Sequence, residues 1–363
     1  MRFLFLNPFA GGSHRDFARG LIEHSRHDID EMALPGRFWK WRMRGAALYF
    51  IQKIDSLSRY DGIIATDMMG VADFKALAGE KCPPILLYFH ENQITYPLAP
   101  GEARDFQFGF TNIIGACAAD RILFNSKTHF DDFFTHLPGF LKMMPEFSPM
   151  WVADAIREKS GVLYPGVRFP ARPDHDFSRN DSPPLIIWNH RWEFDKNPGD
   201  FFEVLEKVQE KGHDFRLALL GENFQKVPKD FIRAREVFGD RIVCDGYAKS
   251  RRAYIDWLRR GSVAAGSARQ ENFGISVVEA ARRGCLPLVP SRLSYPEIIP
   301  EKFHTCALWA DKADFERKLI AFLKDPAAFL GIREEIAGAM GVFSWENLIG
   351  SYDRALEDLA SSS

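Results

Sequence analysis

Residues 266–291 read GSARQENFGISVVEAARRGCLPLVPS, and two carboxylates in this stretch, Glu271 and Glu279, stand eight residues apart. The pattern is strand, loop, helix, strand, with Phe273-Gly274-Ile275-Ser276 at the helix N-terminus. Free N–H groups and the helix dipole at such a terminus suit a phosphate, and Gly274 lets the backbone come close to it. A helix starting near Phe273 puts Glu279 roughly 9 Å down its axis. That spacing fits a nucleotide sugar. The loop carboxylate meets the sugar and the helix carboxylate accepts hydrogen bonds from the ribose hydroxyls. The diphosphate lies between them, beside Asn272, Phe273, Gly274 and Ile275. Two glutamates at this spacing are also common on a solvated amphipathic helix. The glycine at the helix start and the small-residue turn into the proline-rich strand at 284–290 favour the ligand.

A second cluster, WNHRWEFDKNP at 188–198, carries Arg191 and Lys196 five residues apart in a strand-to-helix loop. Together they can neutralise a diphosphate, arginine bidentately and lysine as a point charge, and stabilise negative charge on a leaving nucleotide. A solvated basic loop is the plainer alternative. Two further strand ends, LLGENF (219–224) and CDGYA (244–248), place Gly221, Glu222, Gly246 and Tyr247 where a base could approach the backbone.

The N-terminal half holds three segments of interest. NPFAGGSHRDFARGL (7–21) sets Gly11 and Gly12 between a strand and a helix, a loop able to approach a phosphate, although it lacks the full GxGxxG pattern of a dinucleotide site. YFHENQITYP (88–97) ends an apolar strand with His90, Glu91, Asn92, Gln93, Thr95 and Tyr96. So many hydrogen-bonding groups at one strand end point to ligand reading, with His90 placed to hydrogen-bond a donor sugar. GRFWKWRMRGA (36–46) interleaves Arg37, Lys40, Arg42 and Arg44 with Phe38, Trp39 and Trp41. Basic residues among aromatics grip phosphates and stack on bases, though a solvated helix start has the same composition.

These motifs need a scaffold, and the rest of the chain supplies it. Its 363 residues suit two domains at roughly 100–200 residues each. With 46% hydrophobic and 26% charged residues, the composition is that of a globular protein with a real core. Strands are expected at 2–7, 62–66, 85–90, 121–124 and 161–164, then at 185–189, 215–221, 241–244, 262–265 and 286–289. Helices fill 12–24, 39–57, 72–78, 105–119, 127–135 and 150–159, then 199–211, 229–237, 250–259, 274–283, 312–323 and 345–359. Short strands apolar on both faces, alternating with helices, mean parallel α/β sheets. The polar, proline-rich stretch 167–184 is the natural linker. We therefore expect an N-terminal Rossmann-like domain over 1–170 on the acceptor side and a C-terminal nucleotide-sugar-binding one over 183–343. The two face each other across a cleft, and a last helix in 344–363 packs back toward the N-terminal domain. Ligands sit at the carboxyl ends of strands in such sheets.

The formal charge of −2 gives no global pull toward nucleic acid or membrane. No run of about 18 apolar residues suggests a membrane span. Cys82, Cys117, Cys244, Cys285 and Cys306 are scattered and odd in number, which argues against a disulfide framework or a zinc site. They read as small apolar fillers in a reducing cytoplasm.

E-x7-E with a preceding Arg and Lys resembles the retaining GT-B glycosyltransferases. MALPGRFWKWRMRGAALYF, YFHENQITYP, RDFQFGF (104–110), FNSKTHFDDF, HRWEFDKNP and YPEIIP (295–300) resemble, more specifically, the tRNA-queuosine mannosyltransferase family, over nearly the whole chain. The resemblance implies transfer of mannose from GDP-mannose to queuosine in the anticodon of tRNA-Asp, with retention, and neither a metal nor a cofactor. It assigns the mannose hydroxyls to Glu271, the ribose to Glu279 and the diphosphate to Arg191 and Lys196, and it places His90 at the reaction centre. Glu91, Asn92, Gln93, Tyr96, Lys40, Arg42 and Arg44 fall to the acceptor. Two alternatives stay open: another nucleotide sugar or a lipid or polysaccharide acceptor, and a non-catalytic binding module.

Overall fold

The computed structural model describes residues 1–99, 101–170, 172–174, 183–221 and 227–361. It divides into two compact units, one comprising Met1–Arg168 with Phe343–Ser363 and the other Phe169–Val342.

The first unit is a six-stranded parallel sheet in the order β2-β1-β3-β4-β5-β6. Its strands are β1 (Arg2–Ala10), β2 (Asp28–Pro35), β3 (Gly62–Thr66), β4 (Ile85–Phe89), β5 (Arg121–Phe124) and β6 (Ser160–Val162). Helices α1 (Gly12–His24), α2 (Trp39–Lys53), α3 (Val71–Ala78), α4 (Phe106–Ala118), α5 (Lys127–Leu141) and α6 (Trp151–Glu158) alternate with them. β3 and β4 are wholly buried, as their GIIAT and ILLYF runs require of strands covered on both faces.

Two departures from expectation have clear causes. β2, read as a loop, carries Asp28, Asp30 and Glu31. It is tolerated because it is an edge strand, where Arg2, Arg59 and Tyr60 all bond Asp30 at 2.8–3.0 Å. α5 runs on through Pro138 instead of stopping near Thr135, because Leu137, Phe140 and Leu141 extend its buried face. The terminal helix Trp345–Ser361 belongs to this unit. Trp345 fills a space in which a Cβ on Gly20 or Gly166 would come within 1.9 or 2.2 Å of its ring, and Tyr352 Oη donates to the Tyr164 carbonyl at 2.8 Å.

The second unit repeats the plan. Its six parallel strands run in the order β12-β11-β10-β7-β8-β9. They are β7 (Leu185–Trp188), β8 (Arg216–Leu219), β9 (Ile242–Asp245), β10 (Val263–Ala265), β11 (Leu286–Pro290) and β12 (Leu308–Trp309). The helices that matter for the site are α7 (Pro198–Glu210), α8 (Lys229–Phe238), α9 (Arg251–Arg260) and α10 (Ile275–Arg282). β12 spans only two residues, too short to register as a periodic pattern. A further helix spans Leu330–Ala339, a stretch whose helical pattern in the sequence is broken by Gly331 and Gly338. All five cysteines are free thiols. No helix among the described residues is long and apolar enough to cross a membrane.

Candidate active site

In the second unit, the loops after β7 and β10 are laced together. The backbone N–H of Arg269 donates to the Asp195 carbonyl at 2.7 Å, and Ser267 Oγ donates to the carbonyls of Lys196 and Asn197 at 3.1 and 2.7 Å. Asn197 takes a left-handed conformation, φ 53°, that turns the chain into α7. This weave carries Lys196 inward. Only 7% exposed, it is not the solvated loop cation its neighbours in sequence suggest. Its Nζ donates to the Gln270 carbonyl at 2.8 Å and lies 3.2 Å from Asp195 and 3.4 Å from Glu271. Burial works against the ammonium charge, but Glu271 and Asp195 outweigh it and hold the Lys196 pKa above its ordinary value. Arg191, on the same loop, is half exposed and pairs with Glu193 at 3.2 Å. Burial raises the Glu193 pKa, against the pull of Arg191.

Helix α10 starts at Ile275, one residue later than the expected 274–283. Gly274 is its N-cap at φ 94°, a left-handed angle that a glycine adopts without strain. Phe273 therefore precedes the helix, and its ring is buried in the core rather than offered to a ligand. Four residues into the helix, Glu279 is buried. Its carboxylate pairs with Arg251 and accepts from Tyr254 Oη at 3.0 Å. Tyr254 is pushed well above its ordinary pKa, first by burial and then by the Glu279 charge. Asn189 bridges this group, donating to Tyr254 Oη at 3.0 Å and the Ser276 carbonyl at 2.8 Å. Beside it, His190 is buried, with Nδ1 3.3 Å from Ser276 Oγ, and burial lowers its pKa to about 3, so the ring is neutral.

The glycines at the other strand ends divide. A Cβ on Gly221 would come within 1.9 Å of the His190 carbonyl oxygen and 2.4 Å of Trp192. The residue is small because the β7 and β8 ends touch there, which accounts for the glycine by packing alone. Gly246 has open space and φ 116°, and Tyr247 is exposed. Glu222 lies outside the described residues.

In the first unit, the segment after β4 is held from below. The buried carboxyl of Asp67 accepts from the His90 N–H at 2.8 Å, and the Asp67 carbonyl accepts from Asn112 Nδ2 at 3.0 Å. Burial, then the nearby Glu91 charge, hold the Asp67 carboxyl well above the usual carboxylate range. His90 is half-buried, its ring centroid 4.2 Å from that of His14 and 4.8 Å from that of Tyr88. Burial, with His14 and His129 beside it, keeps its pKa well below the ordinary value. His90 thus offers a neutral imidazole.

Asn92 does not face outward and its assignment to an acceptor is corrected. It is 1% exposed and its amide is fully engaged. Oδ1 accepts from the N–H groups of Ile94 and Thr95 at 3.0 and 2.9 Å, while Nδ2 donates to Thr95 Oγ1 and to His129 Nε2 at 2.9 Å each. With Nε2 accepting, His129 carries its proton on Nδ1 and donates it to Asn125 Oδ1 at 2.8 Å. Arg104 then clamps the carbonyls of Gln93, Ile94 and Tyr96 at 2.9–3.2 Å. Glu91, Gln93 and Tyr96 stay half-buried on this frame.

At the end of β1, Gly11 packs its backbone against Gly36, and Gly12 opens α1 at φ 48° with free space around it. On α2, Lys40 and Arg44 are exposed and Arg42 is half-buried.

Residues 2–167 match the family described as tRNA-queuosine alpha-mannosyltransferase N-terminal, and residues 173–337 match glycosyl transferases group 1. Over 343 residues the chain is 34% identical to the tRNA-queuosine alpha-mannosyltransferase of Drosophila melanogaster, a likeness covering 92% of this chain and 89% of the fly protein. The chain belongs to the tRNA-queuosine alpha-mannosyltransferase family. It is a glycosyltransferase, and its fold is GT-B. Sucrose-phosphate synthase from Thermosynechococcus elongatus superposes with a TM-score of 0.75 at 13% identity, over 100% of both chains. The Anabaena protein HepE, solved with UDP and glucose, superposes at 0.69 and 13% identity, over 99% of this chain and 100% of its own. At such identities these two speak to fold alone.

Within this family member, several residues outside the expected site finish the two clusters. Arg251 and Tyr254 hold Glu279 from a helix 28 and 25 residues earlier. Asp195 neutralises Lys196, and Asp67, Asn112, Arg104 and His129 set the loop at 90–96. Arg104, His129 and Asp195 lay inside segments that carried the family resemblance; Arg251, Tyr254, Asp67 and Asn112 did not.

Proposed function

We propose that this enzyme transfers mannose from GDP-mannose to queuosine in the anticodon loop of tRNA-Asp, with retention, in the cytoplasm. The donor reading is supported above all by the Lys196–Asp195–Glu271 cluster beside the first turn of α10. There, a buried ammonium and the N-terminus of a helix lie at the same end of the sheet. Lys196 and Arg191 neutralise the diphosphate. The 3.4 Å contact between Lys196 and Glu271 is the loosest of the lysine's three, and an arriving phosphate exchanges with it. Glu271 then turns to the mannose hydroxyls. Glu279, oriented by Arg251 and Tyr254, accepts from the ribose, and Gly246 and Tyr247 flank the base.

In the transfer, the bond from the anomeric carbon to the diphosphate oxygen breaks as the bond to a queuosine hydroxyl forms on the same face. The hydroxyl proton passes to the departing phosphate oxygen. Lysine and arginine stabilise the charge that develops on that oxygen. The neutral His90 hydrogen-bonds the sugar being transferred, and Glu91, Gln93 and Tyr96 serve the acceptor. Lys40, Arg42 and Arg44 draw the RNA backbone.

Because side chains supply the positive charge, this reaction needs no metal. Release of GDP from GDP-mannose is expected to require queuosine-containing tRNA and to run at the same rate in excess EDTA. A rate that collapses in EDTA and returns with magnesium contradicts the metal-free reading. Release that proceeds equally with tRNA lacking queuosine contradicts the acceptor.

A further inference from the structure

Helix α2 has two apolar faces and only one is used inside the protein. Met43, Ala46, Ala47 and Phe50 are buried against the sheet. On the other side Phe38, Trp41 and Leu48 are 66, 78 and 62% exposed. Phe38 immediately precedes the helix and Trp41 lies in its first turn, so both exposed rings stand at the start of α2. Between Glu31 and Asp55 the chain contains Arg37, Lys40, Arg42, Arg44 and Lys53 and no acidic residue. In a chain of net charge −2, that is a local concentration of cations.

The backbone is committed to this display. Phe38 sits in the left-handed region at φ 57°, unusual for a residue with a side chain. It is held there as its carbonyl accepts the N–H groups of Trp41 and Arg42 at 2.9 and 3.1 Å. Strain of this kind persists where the surroundings enforce it and clusters at functional sites. The cations are placed as well. The Lys40 ammonium lies 5.4 Å from the Trp39 ring centroid and 5.8 Å from that of Phe108. Arg44 Nη1 donates to Thr111 Oγ1 at 3.2 Å, which fixes the guanidinium on the rim of a depression of about 250 Å³. Its lining includes Asp73, Gln107 and Thr111 together with the apolar Ala72, Phe110 and Ile114, an apolar wall with a few hydrogen-bonding groups.

We propose that the outward face of α2 and this depression bind an unstacked nucleotide of the RNA acceptor, with Phe38 and Trp41 as stacking surfaces and Lys40 and Arg44 on the flanking phosphates. The inference rests on the RNA-acceptor reading above and adds the aromatic platform to it. Charge alone suits any polyanion. Two exposed rings and a mainly apolar depression that also carries Asp73, Gln107 and Thr111 suit bases, each of which has a face to stack and an edge to hydrogen-bond. An anionic membrane fits less well, since the continuous apolar face of α2 is already buried in its own sheet and Asp73 lies at the rim.

The test is the affinity for queuosine-containing tRNA, measured by filter binding across a salt series. Stacking on one aromatic is worth roughly 1–3 kcal/mol, about 5- to 150-fold in affinity. F38A/W41A is therefore expected to weaken binding at least about fivefold, with most of it restored in W41F on the Phe38 background. K40Q/R44Q should flatten the salt slope by about 1.5. Both sets of residues are on the surface, and unchanged melting curves check the fold. If wild-type protein binds and modifies the tRNA while F38A/W41A binds equally well, the platform is wrong and the acceptor reading stands. If wild-type protein has no affinity for the tRNA, both fall. Binding to phosphatidylserine vesicles that disappears in W41A, or self-association that disappears in W41A, would also overturn the proposal.

Discussion

Lys196→Met is expected to lower the rate of mannosyl transfer by about a thousandfold and to weaken the fold of the second unit. Removing one well-placed charge or donor from a developing anion costs about 10²–10³ in rate. Lys196 is the more buried of the two cations proposed for the diphosphate. Its loss also strands two carboxylates: Asp195 is 1% exposed and Glu271 largely covered. Breaking a buried pair in this way destabilises by about 3–5 kcal/mol. Lys196→Arg keeps the charge, but a planar guanidinium does not fit the three directions in which the ammonium donates. It should recover part of the stability and little of the rate. Turnover from GDP release and stability from urea unfolding separate the two effects. A Lys196→Met enzyme within tenfold of wild type would remove this residue from the chemistry.

The second large effect is expected at a residue that touches no proposed ligand. Asp67→Ala should cut transfer about a hundredfold while leaving the KM for GDP-mannose close to wild type. Asp67 is a positioning residue: its carboxyl receives the His90 N–H and its carbonyl receives Asn112. Without the carboxyl, a buried N–H is left unpaired at a cost of about 1–3 kcal/mol. The loop at 90–96 then shifts to satisfy it, and a displacement of about 1 Å at a reacting group costs on the order of 10²-fold. Asp67→Asn is the informative control. The Asp67 carboxyl is held well above the usual carboxylate range, so its accepting oxygen matters more than its charge. An amide keeps that oxygen and should retain most of the activity. Equal loss in the alanine and asparagine variants would instead make the charge the working feature.

The sequence carries the scaffold clearly because β3 and β4 are unbroken apolar runs and because Ser126, Ser250 and Asp311 cap helices where the pattern says helices begin. It carries less where a pattern conflicts with its surroundings. β2 is acidic enough to read as a loop, and only its edge position and Asp30's three partners permit a strand. The site was half visible. Glu271, Glu279, Arg191 and Lys196 stand out by type and spacing. What their spacing does not tell is depth: Lys196 is sunk between two acids, and Glu279 is committed to Arg251 and Tyr254. Asn92 shows the same gap, since a polar residue at a strand end reads as a ligand contact until its three hydrogen bonds inside the loop and its fourth to His129 on α5 are seen. Asp67 left no signal, because ATDMMG has the composition of any turn after a strand. Gly221 had the right residue type for a different reason, close packing against His190.

The most direct test is mass spectrometry of the nucleosides from tRNA-Asp after incubation with the purified protein and GDP-mannose. Queuosine is expected to be replaced by a species heavier by one hexose, with GDP as the other product, and tRNA-Asp carrying guanosine at the same position should be unchanged. Queuosine recovered unmodified, under conditions in which the protein binds both substrates, would contradict the account.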